Sequence, residues 1–400
     1  MFDRIIVIVL DGVGVGALPD AAEYGDQHAA TLQHVAAATG GLDLPHLEKL
    51  GLGRIAGIEG IAAVTSPAGC WGKMVEKSAG KDSITGHWEL SGLILDHPFA
   101  TFPHGFPEPI IRDFVTATGL TPLGNIAASG TDILKMLGEE HLRTGQPIVY
   151  TSSDSVFQIA AHEDIIPPER LYSLCRLTEK ILLPYNVCRV IARPFKGSCA
   201  ADFYRTSGRH DFPRKPAAET VLDLLYRQGI RTCGIGKIGD LFAGQGLADS
   251  IPPRDNADGM KTTLRVLEEV DRGLVLVNLV DFDMLYGHRL DSHGFVAALC
   301  EFDSWLPTLL QRMKRSDLLV ITADHGCDPT TAGTDHSREY VPLLLSSPRL
   351  RSAKDLGIRR TFADVGATVA DNFQLTLPAG QSFLGELESL SLSEERERLH

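Results

Sequence analysis

No apolar run in this 400-residue chain approaches the roughly 20 residues that a bilayer-spanning helix needs, and the longest conspicuous one, IIVIVL, is the size of a buried strand. That run follows Asp3 and Arg4 with no small-residue cleavage site behind it, so it is not expected to be a secretory leader. The seven cysteines are odd in number and show no C-x-x-C spacing, which argues against a disulfide framework and a zinc ribbon and favours a reducing cytoplasm. No cluster of Lys and Arg stands against a formal charge of −13, so neither nucleic acid nor an acidic membrane surface is an expected partner. Internal repeats and low-complexity tracts are also lacking.

What remains is an ordinary globular composition, 44% hydrophobic and 22% charged, in a chain long enough for two or three domain-sized units. Strand-like runs (RIIVIVL, PIVYTSS, CRVIARPF, GLVLVNLV, SDLLVITA and VPLLLSS) are often followed by segments of helical period such as AAETVLDLLYRQG and DGMKTTLRVLEEVDRG. The alternation predicts an α/β fold with a largely parallel central sheet flanked by helices. Between about 98 and 219 the texture changes, opening with DHPFATFPHGFPEP and closing with RTSGRHDFPRKP. Such Pro- and Gly-rich edges predict an inserted smaller α/β cap over 99–218, with 1–98 and 219–400 combining in one core.

Acids gather at the carboxyl ends of three predicted strands, where ligands bind in open parallel sheets. IIVIVL runs into Asp11, LVLVNLV into Asp281 and Asp283, and LLVITA into Asp324 and His325. His288 follows Asp283 by five residues, and His336 follows His325 by eleven. A single Asp after a strand is usually a turn former, and a lone His is usually a satisfied polar residue. Carboxylates and imidazoles in this combination instead suit a site for two divalent ions of the Mn²⁺ or Zn²⁺ kind. Ser83, in AGKDSITGHWELSG, follows a tight turn at the start of a predicted helix, where it either caps that helix or serves as a metal-activated nucleophile. GIGKIG matches the pattern of a dinucleotide loop but is followed by DLFAGQGLADS, which has no convincing helical period. A glycine-framed loop presenting Lys237 to an anion is the preferred reading. Ser155, in SSDSVFQIA, sits away from these strand ends and suits substrate binding better than nucleophilic chemistry.

Taken with DGVGVGALPDA, YTSSDSVFQIAAHE, CRVIARPF, RTSGRHDF and ITADHGCDPTTAGTDHSREYVPLL in their order along nearly the whole chain, these motifs resemble the alkaline phosphatase superfamily of metalloenzymes, and within it the phosphopentomutase family. The resemblance implies one metal ion on Asp11, Asp324 and His325 and a second on Asp283, His288 and His336, two Mn²⁺ in all, with a sugar bisphosphate as activator. It implies that the hydroxyl residue after G-K-D is the nucleophile, which is Ser83 where the family usually has threonine. It further implies that Ser152, Asp154, Arg189, Arg205 and Lys237 bind a small-molecule pentose phosphate. The sulfatase branch is disfavoured, because neither C-x-P-S-R nor S-x-P-S-R occurs.

Overall fold

The computed structural model describes residues 1–152 and 155–391. It divides into two compact units, one formed by Met1–His97 with Pro216–His400 and the other by Pro98–Lys215.

The first unit is built on an eight-stranded sheet. Its strands are β1 (Arg4–Leu10) and β2 (Cys70–Met74), then β9 (Arg231–Ile235), β10 (Asp249–Ile251), β11 (Gly273–Leu279), β12 (Asp317–Thr322), β13 (Val341–Ser346) and β14 (Asp355–Arg359), in the order β10-β9-β11-β1-β12-β13-β2-β14. From β10 to β12 every pairing is parallel, whereas β13 runs antiparallel to both its neighbours. The sheet is therefore mixed, with a parallel centre. β1, β11 and β12 are buried along their whole length, which is why they read as unbroken apolar runs rather than alternating ones. At the amino ends of these strands Arg4 is wholly buried, donating to both carboxylate oxygens of Asp317 (3.2 and 2.5 Å) and to the Leu267 and Val270 carbonyls. A buried guanidinium persists only when its donors are satisfied in this way. The opposite edge is left free for chemistry.

The second unit holds β3 (Leu123–Ala127), β4 (Ile148–Thr151), β5 (Val156–His162), β6 (Arg189–Lys196) and β7 (Tyr204–Arg205) in that spatial order, with β8 (His210–Pro213) also pairing with β6. Helices Glu108–Thr118 and Pro168–Leu182 bury Ile110, Phe114, Leu171, Leu174 and Cys175 in one core with Phe106, Phe157 and Val190. The Phe106 and Phe157 rings stack with centroids 4.4 Å apart. Two sheets with helices packed on them make the α/β class expected from the alternating pattern.

Candidate metal centre and nucleophile

β1 lies between β11 and β12 with Leu10 opposite Leu279 and Val9 opposite Thr322, so the residues that follow these strands emerge at one edge. Asp11 and Asp324 lie one and two residues beyond their strands and are fully buried. Asp283 arrives through a π-helical turn over Phe282–Gly287, in which the His288 N–H bonds the Asp283 carbonyl. In an α-helix residues five apart diverge by about 140°. The wider i→i+5 turn brings them nearly one above the other. His288 Nε2 accordingly lies 3.4 Å from Asp283 Oδ2.

Of the seven acids and histidines singled out from the sequence, six meet here; Asp281 instead accepts the Asn256 N–H at 2.7 Å. His325 Nε2 is 3.3 Å from Asp11 Oδ1 and 3.4 Å from Asp324 Oδ2, and His336 Nε2 is 3.4 Å from Asp283 Oδ1. Donor atoms of Asp11, Asp324 and His325 fall within 4.8 Å of one another, as do those of Asp283, His325 and His336. His325 thus faces both halves of the cluster, while the Asp283 and His288 pair groups with Cys327.

Charge balance explains what such a cluster needs. Burial opposes ionisation of Asp324, yet the imidazoles of His325 and His87 beside it hold its carboxyl below the usual range. Burial likewise works against a charged His325, but the carboxylates of Asp324 and Asp11 push it well above its ordinary value. Asp283 Oδ1 and Asp324 Oδ2 are buried and face imidazole nitrogens, His336 Nε2 at 3.4 Å and His87 Nδ1 at 3.0 Å. Buried carboxylates joined to imidazoles are a fitting donor set for borderline divalent cations. The residues present fit metal ions.

Ser83 heads the Ser83–Leu90 helix at the rim of the cluster, its Oγ 3.1 Å from His325 Nε2 and 3.5 Å from Asp11 Oδ1. Capping falls to Asp82, whose Oδ1 accepts from the Ile84 and Thr85 N–H groups. The Thr85 hydroxyl donates to Asp82 Oδ2 at 2.6 Å, so it braces the cap. Gly86 lets the helix lie against the end of β12, since a Cβ there would stand 2.2 Å from the Asp324 carbonyl oxygen. The next three residues are buried, and each ties the helix to a different element. His87 Nδ1 sits 2.8 Å from the Ser83 carbonyl and 3.0 Å from Asp324 Oδ2, and its Nε2 is 3.4 Å from Asn278 Nδ2. Trp88 Nε1 donates to the Leu241 carbonyl at 2.8 Å. The Glu89 carboxylate accepts from the Lys77, Ser78 and Phe362 N–H groups and from the Thr361 hydroxyl.

Arg338, two residues after His336, is buried and donates to the carbonyls of Glu76, Ser78 and Gly80 and to Asp20. It thereby joins the segment bearing His336 to the turn that presents Ser83. Lys81 adds bridges to Asp26 at 3.0 Å and Asp335 at 3.3 Å. Lys237 opens a single helical turn, Ile238–Leu241, which is a helix where the sequence showed none. Four residues held between Gly234 and Gly244 carry too little periodicity to be read. Its Nζ lies 4.0 Å from both Asp11 Oδ2 and Asp283 Oδ2, so the loop presents its cation to these carboxylates.

In the Pro98–Lys215 unit, Ser152 follows β4, Arg189 opens β6 and Arg205 closes β7; Asp154 lies outside the described residues. Arg189 is partly exposed, reaches Asp211 at 3.5 Å, and has its Nε buried without a partner. Arg209 grips the same Asp211 through two bonds of 2.8 Å, and Arg193 donates to Gln158. Together these guanidiniums hold the Asp211 carboxyl below the usual range against the effect of its burial. Ser155 departs from expectation: it is buried, and its Oγ accepts the Cys188 N–H at 3.1 Å, which is a structural task.

Sequence reasoning missed His87, Glu89, Asn278, Cys327 and Arg338. Asn278 donates to Asp11 Oδ2 at 2.9 Å and orients it. Its signal was a polar residue inside the buried run GLVLVNLV; that of His87 and Glu89 was a His and a Glu flanking Trp88 in a helix with no polar face.

The metalloenzyme superfamily model matches residues 3–377. A phosphopentomutase from Syntrophotalea carbinolica is 58% identical over 386 residues, covering 96% of this chain and 98% of the relative. One from Caldanaerobacter subterraneus subsp. tengcongensis is 54% identical, covering 97% of this chain and 98% of the relative. Among solved structures, the PH0037 protein of Pyrococcus horikoshii shares the fold at a TM-score of 0.50 and 14% identity, over 95% of this chain and 100% of that one. Matched over 96–97% of its length with such relatives, and carrying buried acids and histidines at three adjoining strand ends, the chain belongs to the phosphopentomutase family of the metalloenzyme superfamily.

Proposed function

We propose that this enzyme interconverts ribose 1-phosphate and ribose 5-phosphate, and the 2-deoxyribose pair, through a phosphoserine at Ser83 and a sugar bisphosphate. The observation that carries the reading is the Ser83 hydroxyl, 3.1 Å from His325 and 3.5 Å from Asp11 at the edge of the acid and histidine cluster. The names of the relatives supply the substrate class.

In the proposed cycle the free hydroxyl of the bound sugar phosphate attacks the phosphorus of phosphoserine 83. The bond from phosphorus to Ser83 Oγ breaks, and the hydroxyl proton leaves as the bisphosphate forms. Ser83 Oγ then attacks the other phosphate of that bisphosphate, regenerating the phosphoserine and releasing the isomeric monophosphate. Asp11, Asp324 and His325 would hold one cation and Asp283, His288 and His336 the other, with His325 near enough to Asp283 to share in both. Two divalent cations, proposed to be Mn²⁺, would favour the ionised serine oxygen and offset charge on the transferring phosphoryl group. Asp82 keeps the first turn of the helix formed around Ser83, and Asn278 keeps Asp11 turned toward it. Lys237, 4.0 Å from two carboxylates, is suited to meet a phosphate oxygen entering beside them.

Residues 98–215 are proposed to act as a substrate-binding cap. There Arg189 and Arg205 would grip the non-reacting phosphate, Ser152 and Asp154 would hydrogen-bond the sugar, and exclusion of water would favour transfer over hydrolysis. The activator is proposed to be a sugar bisphosphate. All seven cysteines are free of disulfides, which accords with the proposed cytoplasmic location. The test is to supply purified protein with ribose 1-phosphate, Mn²⁺ and a trace of sugar bisphosphate. Ribose 5-phosphate should form in large excess over free phosphate; free phosphate as the main product would make the protein a phosphomonoesterase, and no turnover would make it a sugar-phosphate sensor.

A further inference from the structure

We propose that Glu339, which lies outside the acid and histidine cluster, is a positioning residue that fixes Asp11 relative to His325 and His336. The proposal rests on reading those three as metal-facing, and it names what sets their spacing. Glu339 follows His336 by three residues and is wholly buried. Its Oε2 accepts the N–H groups of Gly16 and Thr31, each at 2.9 Å, and its Oε1 accepts the hydroxyls of Thr31 at 2.6 Å and Ser337 at 2.7 Å. Thr31 Oγ1 also accepts the Cys327 N–H at 3.2 Å, so its own proton is free for the carboxylate. All four partners donate and none carries a charge, so hydrogen bonds alone offset the cost of burying this acid. The proposed cycle leaves it without a task.

Through these bonds the acid reaches each of the three segments. Gly16 stands five residues after Asp11, Cys327 two after His325, and Ser337 next to His336. Main-chain bonds join the same segments. The Gly326 N–H donates to the Ser337 carbonyl at 3.0 Å and the Ser337 N–H to the Gly326 carbonyl at 2.7 Å; the Val15 N–H donates to the Tyr340 carbonyl and the Tyr340 N–H to the Gly16 carbonyl, both at 2.8 Å. Beside the first bridge the His325 and His336 rings lie with centroids 4.1 Å apart. The Glu339 carboxylate ties that bridge to the loop after Asp11. A Cβ at Gly14 or at Gly326 would stand 2.6 Å from the Glu339 carboxyl carbon, so both glycines are there for space. The loops after Asp11 and after His325 are thus moulded on this acid, and a change in it moves the donors as well as loosening the core.

Glu339→Gln keeps the size of the side chain. Its amide oxygen can still accept the Gly16 and Thr31 N–H groups, which leaves the NH₂ against two hydroxyls that had been donors. The test is equilibrium dialysis of the metal-free full-length protein against Mn²⁺, with the visible d–d bands of bound Co²⁺ reading ligand geometry and urea unfolding of the metal-free protein checking the fold. Native protein should bind both ions. In Glu339→Gln, Mn²⁺ affinity should fall about tenfold, the low end of what outer-shell partners cost, and the Co²⁺ bands should shift while the metal-free protein still unfolds cooperatively. Ser337→Ala, which removes one donor, should change both readings in the same direction and by less. Affinity and bands unchanged in a folded Glu339→Gln overturn the proposal and leave the metal reading standing, whatever the variant loses in stability. Where Glu339→Gln does not fold, Ser337→Ala decides: native binding there overturns the proposal, and weakened binding with shifted bands sustains it. Native protein that binds neither ion overturns the metal reading and the proposal with it.

Discussion

The acid cluster at the end of the core sheet and the arginine cluster of the Pro98–Lys215 unit carry opposite charge and are built in opposite ways. Asp11, Asp283, Asp324 and His325 are buried, and their carboxylates are answered chiefly by imidazoles. Arg189, Arg205 and Arg209 are at least partly exposed, and Asp211 already answers Arg189 and Arg209. Around the acids, His87, Trp88, Glu89 and Arg338 bond to backbone and side chains of distant segments; around the arginines there are short, partly exposed strands. A buried site of this kind pays folding energy to be ready for a charged ligand, as preorganised catalytic sites do. Partly hydrated arginines hold an anion without a comparable cost and can be exchanged with less loss of fold.

Substitutions can break this contrast, and the largest effects belong to the core. Asp283→Ala removes a carboxylate shared by both arrangements of donors. Metal content measured by atomic emission should drop, and turnover should fall by more than the roughly 10- to 100-fold that outer-shell partners cost. Full metal content with normal turnover would remove Asp283 from the site. Glu89→Ala leaves three backbone N–H groups and a hydroxyl without their acceptor, so it should destabilise the core by more than about 3 kcal/mol in urea unfolding. A loss below 1 kcal/mol, by the same scale, would mean that the Ser83 helix is held by packing alone.

Next come the arginines. Arg189→Ala and Arg205→Ala should each raise KM about 10- to 100-fold, matching the ~1.5–3 kcal/mol of a hydrogen bond to a charged group, with unfolding little changed. A fall in kcat at unchanged KM would place them with the core cluster instead. The smallest effect is one of pH within the Pro98–Lys215 unit. His141 Nδ1 meets the Gln146 carbonyl at 2.6 Å and its Nε2 accepts the His162 N–H at 2.9 Å, an arrangement that needs the neutral ring. Burial pushes this imidazole below its ordinary value of 6.5. As pH falls through 6.5 the unfolded chain takes up the proton first, so the contribution of His141 is full above that pH and declines toward the lowered folded value. Amide exchange along β5, corrected for intrinsic rate, should accelerate from pH 7 to pH 5 in the native protein and less so in His141→Gln.

The α/β architecture was legible because strands buried on both faces leave continuous apolar runs, and Asp11, Asp283 and Asp324 were legible because they interrupt those runs at their carboxyl ends. The antiparallel β13 was not, since VPLLLSS is as apolar as a parallel strand. Nor was the π-helical turn, which depends on one extra residue in a hydrogen-bond ring rather than on composition. Glu89 and Arg338 were hidden for another reason. Their partners at Thr361 and at Glu76 to Gly80 are remote in the chain, and a local reading of GHWE or SREY contains neither. Cys327 passed as a bland thiol because its neighbours His288 and Gly287 come to it from another strand end.

The central claim is that Ser83 carries the phosphoryl group, and one measurement bears on it directly. Protein primed with a sugar bisphosphate in the presence of Mn²⁺ is digested, and the phosphopeptide is fragmented by mass spectrometry to the residue. Phosphate on Ser83, absent from Ser83→Ala and restored in Ser83→Thr with mutase activity, is the predicted result. Phosphate on Thr85, whose hydroxyl is committed to Asp82, or on Ser155, whose oxygen is committed to the Cys188 N–H, would contradict it.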